Sequence, residues 1–143
     1  MVRGSELKWL FALVPLFLVL SCAEGGDVMP DCFPDKGSCI KQMGEGRVIF
    51  EISPRPVRTM EDLMFTMKLE GMGSDPERIL LDLSMPGMEM GENRIILERK
   101  NGGFYEGKGI IVRCPSGRRL WRATFWVPGA GETEFLFEVD REK

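Results

Sequence analysis

The chain has 143 residues, 43% of them apolar, and its 19 basic and 22 acidic side chains leave a formal charge of −3 with no histidine. Nucleic acid is an unsuitable partner for such a chain, because that binding neutralises phosphates with clustered Lys and Arg. The missing histidine and the lack of a CxxC pair also disfavour a zinc site.

The first 21 residues have the build of an export signal. Arg3 and Lys8 make a basic start, an apolar run follows from Trp9 to Leu20, and small Ser21 closes it. The run is about a dozen residues, against roughly 20 for a helix that crosses a bilayer, and Pro15 interrupts it. The expectation is a segment absent from the mature protein. Val19-Leu20-Ser21-Cys22 resembles the bacterial lipobox, in which a cysteine after a small residue is acylated and becomes the new first residue. Each buried methylene contributes about 0.8 kcal/mol, and stable anchoring takes more than one acyl chain. The resemblance to triacylated lipoproteins would supply them; the alternative is a secreted protein with a chance cysteine. Ala23, by resemblance to the sorting signals of diderm bacteria, does not favour the inner membrane. In such a cell the expected address is the periplasmic side of the outer membrane.

Removing residues 1 to 21 leaves 17 basic and 21 acidic residues, a net charge of −4, on a chain of one-domain size. Residues 22–46 read as a lipidated tether and a cysteine-containing lead-in, and residues 47–143 as the folded domain. Cys32 and Cys39 flank Pro34, Asp35, Gly37 and Ser38, a turn-rich spacer that allows a disulfide between them in an oxidising compartment. The alternative joins Cys114 to one of the two.

Arg47 to Ser53 alternates Val48, Phe50 and Ile52 against Arg47 and Glu51, a half-buried strand that Pro54-Arg55-Pro56 must end. Leu63 to Glu70 alternates in the same way before Gly71-Met72-Gly73-Ser74. Arg78 to Ser84 puts Ile79, Leu81 and Leu83 on one face. Next comes Met85-Pro86-Gly87-Met88-Glu89-Met90-Gly91, a turn-rich loop with three thioethers. Asn93 to Lys100 is a fourth strand, Asn101-Gly102-Gly103 a hairpin turn that tolerates positive φ, and Phe104 to Cys114 a fifth strand carrying Ile110-Ile111-Val112. Leu120 to Val127 places Trp121, Ala123, Phe125 and Val127 inward. Thr133 to Asp140 does so with Phe135, Phe137 and Val139. Seven strands at short spacings, without a long helical period, predict an all-β fold: an Ig-like antiparallel β-sandwich of about seven strands.

Three short motifs carry a family resemblance: Met85-Pro-Gly-Met88-Glu-Met90, then Gly103-Phe-Tyr105-Glu-Gly107, then Gly117 followed by Leu120-Trp121. Together, over Arg47 to Asp140, they resemble the YtkA-like and FixH-like exported proteins. The resemblance implies a small envelope β-sandwich and, for the FixH-like branch, copper handling and assembly of respiratory oxidases. It implies no catalytic residues.

Met85, Met88 and Met90 are the candidate metal ligands, because soft thioethers select Cu(I), and another Met or a free Cys114 thiolate is the candidate further donor. The alternative is that these flexible side chains plug the end of the core. No Ser-Lys pair or paired carboxylate stands at a telling spacing, so an enzyme is not expected. Glu89 and Glu92 read as solvated. The expected function is a non-catalytic binding or assembly module, held to the membrane through its lipid anchor and facing an envelope protein partner through exposed residues such as Met64, Ile96 and Leu136. The alternative is a Cu(I)-binding envelope protein; no other cofactor is expected. Mass spectrometry of the mature amino terminus checks the anchor. The expected result is an acylated Cys22, and an unmodified Ala23 or an intact Met1 contradicts it.

Overall fold

Alternating burial organises the chain into eight strands in a computed structural model that describes residues 27–139. They are β1 (Cys39–Met43), β2 (Gly46–Ser53), β3 (Leu63–Glu70), β4 (Arg78–Ser84), β5 (Arg94–Lys100), β6 (Phe104–Gly109), β7 (Leu120–Val127) and β8 (Gly131–Glu138). The signal segment, Cys22 and Ala23 lie outside the described residues. The all-β class is as the sequence predicts, and the described residues contain no helix.

The strands are hydrogen-bonded antiparallel in the order β1-β2-β3-β6-β5-β4-β7-β8, one sheet that curls until it is nearly closed. Divided at the β4–β5 pair, it gives β2-β3-β6-β5 and β4-β7-β8, the order of an immunoglobulin constant-type sandwich. Hydrogen bonds from Leu80 and its neighbours on β4 to Ile96 and its neighbours on β5 join the two halves, which the seven-strand expectation did not include. The eighth strand is β1, which lies inside the segment read as lead-in. It is only five residues long, and its buried positions, Cys39 and Met43, stand four apart with half-buried Lys41 between them. Strict period-two alternation is therefore hidden.

Phe104 to Cys114 is not one strand. β6 stops at Gly109, and the next residues leave the sheet with Ile111 buried while Ile110 and Val112 are exposed. The end of β6 lies close against β5. A side chain at Gly107 would come within 2.6 Å of the Ile96 carbonyl, and one at Gly109 within 2.2 Å of the Ile95 side chain. Glycine at both positions lets the two strands close up. Tyr105, between Gly103 and Gly107, is buried and donates its hydroxyl to the Pro76 carbonyl at 2.7 Å, tying β6 to the β3–β4 turn. Burial raises its pKa first, and Asp75 next to it adds to the shift.

Cys32 and Cys39 are disulfide-bonded, and Cys114 is free. The bridge holds the lead-in against the far edge of the sheet. The Asp31 and Cys32 amides both donate to the Leu136 carbonyl, and the Asp31 carboxylate accepts from the Leu136 amide at 2.8 Å. Lys41 on β1 pairs with Asp31 and donates to the Glu134 carbonyl on β8. The gap between the two edges is thus laced by the Asp31 and Cys32 backbone and by the Asp31 and Lys41 side chains.

Trp121 is 1% exposed, in the core with Phe50, Phe65, Phe125, Phe135 and Phe137. Its replacement by Ala removes a large buried side chain and is expected to cost about 3–5 kcal/mol. A chemical-denaturation midpoint that does not move contradicts that placement.

Candidate functional site

β4 carries the methionine loop at its end, continuing the inward alternation of Ile79, Leu81 and Leu83 into Met85. Met85 is 2% exposed and belongs to the core. Its carbonyl accepts from the Met88 amide at 3.1 Å, closing a turn in which Gly87 takes a φ of 72°. Arg118 donates to the Pro86 carbonyl at 3.2 Å, clamping this turn to the segment after Cys114. Met88 and Met90 are half-buried and pack on the core rim.

The three thioethers therefore have different places. What the fold adds is Cys114, 9% exposed, whose sulfur lies 3.8 Å from the Met88 sulfur. Two sulfurs that share one metal through bonds of about 2.3 Å stand at most about 4.6 Å apart, so this spacing suits a shared soft ion. Cys114 is buried, but not beside Ile110 and Val112 as continuous strand alternation would have it. Its surroundings are Met88, Ser116 and the Arg118 segment.

A hydrogen bond with the Ser116 hydroxyl, at 2.9 Å, holds the Cys114 thiol below its ordinary value of 9.0. Burial opposes the shift, and backbone hydrogen bonds and the Arg118 charge add to it. The site favours a thiolate more than a plain buried cysteine does. Glu89 and Glu92, beside the loop, are exposed. Among the described residues no three His, Cys, Asp or Glu side chains cluster in a way that could hold a metal.

A second feature lies on the outer face of the sheet. Trp126 on β7 is paired with Leu80 on β4, and Leu80 with Ile96 on β5, so three large apolar side chains form one row across three strands. Ile96 is 54% and Trp126 37% exposed, while Leu80 is half-buried. Met64 and Leu136 are also half-buried, on β3 and β8. Of the exposed candidates in the sequence, only Ile96 belongs to this row. Trp126 and Leu80 were missed because their neighbours depend on strand register, although Trp126 stands out as the polar-side residue of a strand whose other face is already filled.

A scan of protein-family models and a search of curated proteins find no match for this chain.

The lowered Cys114 pKa gives a pH dependence with a definite sign. Folding favours the thiolate, so the stabilisation is complete above the unfolded thiol value and is lost as pH falls through the folded value. Thiolate absorbance of the folded protein is expected to titrate below that of a free cysteine, and Ser116→Ala to move the midpoint up. A midpoint that Ser116→Ala leaves in place contradicts the assignment of cause.

Proposed function

We propose that the chain is a lipid-anchored envelope β-sandwich that acts as a non-catalytic binding or assembly module. The observation that carries this reading is the row of Trp126, Leu80 and Ile96 on the outer face. Single surface apolar residues are ordinary, whereas adjacent large ones that include an aromatic are the material of contact surfaces. The anchor rests on the lipobox-like sequence at Cys22, and the resemblance to YtkA-like and FixH-like proteins supports an exported sandwich.

Binding of Cu(I) by the Met85, Met88 and Met90 loop is the second reading, favoured by the 3.8 Å approach of the Met88 and Cys114 sulfurs. Thioethers keep their donor ability at any pH, and the low-pKa thiol supplies the charge that a thioether lacks.

Two measurements separate the readings. A photoreactive residue at position 96 of the full chain, in envelope membranes, is expected to give discrete protein adducts, and the same residue at Gln42 on β1 to give none. Absence of adducts from position 96 contradicts the module. Under the copper reading, the protein competes with a chelator for one Cu(I), and changing Met85, Met88 and Met90 to Leu abolishes this with the fold retained, because Leu keeps bulk while removing sulfur. Equal, poor competition by wild type and variant contradicts copper binding.

A further inference from the structure

The row on the outer face has charged neighbours in a particular arrangement. One step along the face to one side lie Arg78 on β4 and Glu98 on β5, which are register partners. One step to the other side lie Asp82 on β4 and Arg94 on β5, also partners. The signs on each strand are thus reversed across the row: positive then negative on β4, negative then positive on β5. Arg78 and Asp82 have no ion-pair partner among the described residues.

We infer that this face is built to pair with the same face of a second copy of the chain, through a two-fold axis lying along the row. A rotation about that axis keeps every strand opposite itself and inverts position along the strand. Trp126, Leu80 and Ile96 then meet their own counterparts. Arg78 comes opposite the second copy's Asp82, and Glu98 opposite the second copy's Arg94. An isologous contact needs this self-complementarity, and a face of random charge pattern would oppose like signs about as often as unlike ones. β4 lies where the sheet turns from one half of the sandwich to the other, so the contact is tightest along β4, and the long side chains of β5 and β7 reach across a gap that widens on either side. Glu132, the β8 partner of Trp126, continues the row beyond the apolar stretch and comes opposite its own counterpart, a like-charge contact at the solvated rim that opposes the pairing.

The lead-in supplies an independent argument. Asp31 and Cys32 are bound to Leu136 on β8, so the amino-terminal segment leaves the domain on the β8 side of the row. An axis along the row puts β8 at the same end in both copies. Both tethers then leave toward one side, as two chains anchored in one membrane require. A three-strand face of about 15 by 20 Å is well short of the roughly 800 Å² per partner of a standard stable interface. The pairing is therefore weak for a free domain, and confinement to a membrane raises the effective concentration that brings it about.

This inference rests on the reading of the chain as a binding module, and the test separates the two. A photoreactive residue, whose reach spans the gap of about 10 Å between facing sheets, replaces Ile96 in the full chain in envelope membranes, with the wild-type chain as background. The expected product is a dimer joined from position 96 of one copy to the same face of the other. Arg78→Asp or Asp82→Arg, each made in the chain with the photoreactive residue at position 96, is expected to lower the dimer yield several-fold, while the thermal midpoint falls only by the small cost of a like-charge pair with Glu98 or Arg94 in the same copy, a cost that the double variant keeps. The Arg78→Asp, Asp82→Arg double variant restores the dimer yield, because the two reversed charges again face opposite signs. A dimer yield indifferent to all three charge variants overturns the proposed geometry. Cross-linking of position 96 to a different protein overturns self-pairing and leaves the module reading standing, while no cross-link to any protein overturns both.

Discussion

The fold depends on the Phe50 side chain. It projects inward from β2 and meets Phe125 of β7 at 4.9 Å between ring centroids, Phe135 of β8 at 5.3 Å and Phe137 of β8 at 6.3 Å. The Phe125 contact is edge-to-face, the arrangement that aromatic quadrupoles favour. β2 belongs to one half of the sandwich, and β7 and β8 to the other. One aromatic cluster therefore fastens the halves near the edge where the sheet fails to close, opposite the β4–β5 hydrogen bonds that fasten them at the other side.

Closure at the open side is left to the lead-in, through two backbone amides and the Asp31 and Lys41 side chains. A free strand edge presents unpaired backbone groups that other chains can pair with. Here Asp31, Cys32 and Lys41 occupy the Leu136 and Glu134 backbone of β8, while the Cys32–Cys39 bridge prevents the lead-in from leaving. By bridging to the start of β1 and bonding to β8, the segment ties the two edges of the sheet together. The bridge's short loop contributes little chain entropy by itself, about 2 kcal/mol, so its main effect is positional.

Much of this was legible because alternation is local. β2, β3, β4, β7 and β8 follow their apolar patterns, and Trp121, Phe135 and Phe137 face inward as the patterns require. β1 was hidden by the half-buried Lys41, whose stem packs while its ammonium reaches Asp31 and β8. The Ile110 to Val112 run was misjudged for a different reason. Its faces depend on where β6 leaves the sheet, at Gly109, and an unbroken apolar run does not mark that point. The methionine loop and Cys114 as a candidate further donor could be read from the sequence, but that Met88 is the thioether that approaches Cys114, 26 positions away, could not. The outer row is the least legible element, because it exists only once Leu80 is set beside both Trp126 and Ile96.

β4 connects the two candidate sites and also keeps them apart. Leu80, in its middle, faces outward in the apolar row; Met85, just past its end, faces inward and starts the sulfur loop. Five residues of extended chain separate them by about 17 Å, and they lie on opposite faces. Substitutions that far apart without shared partners act almost additively. Loss of sulfur at Met88 therefore leaves Trp126 and Ile96 undisturbed, and charge reversal at Arg78 leaves the Cys114 environment undisturbed. A chain that used both sites would have to couple them through β4 itself. That strand is hydrogen-bonded on both sides, to β5 and β7, and packed beneath through Ile79, Leu81 and Leu83, so it has little room to shift. The geometry thus favours two independent surfaces over a single switch.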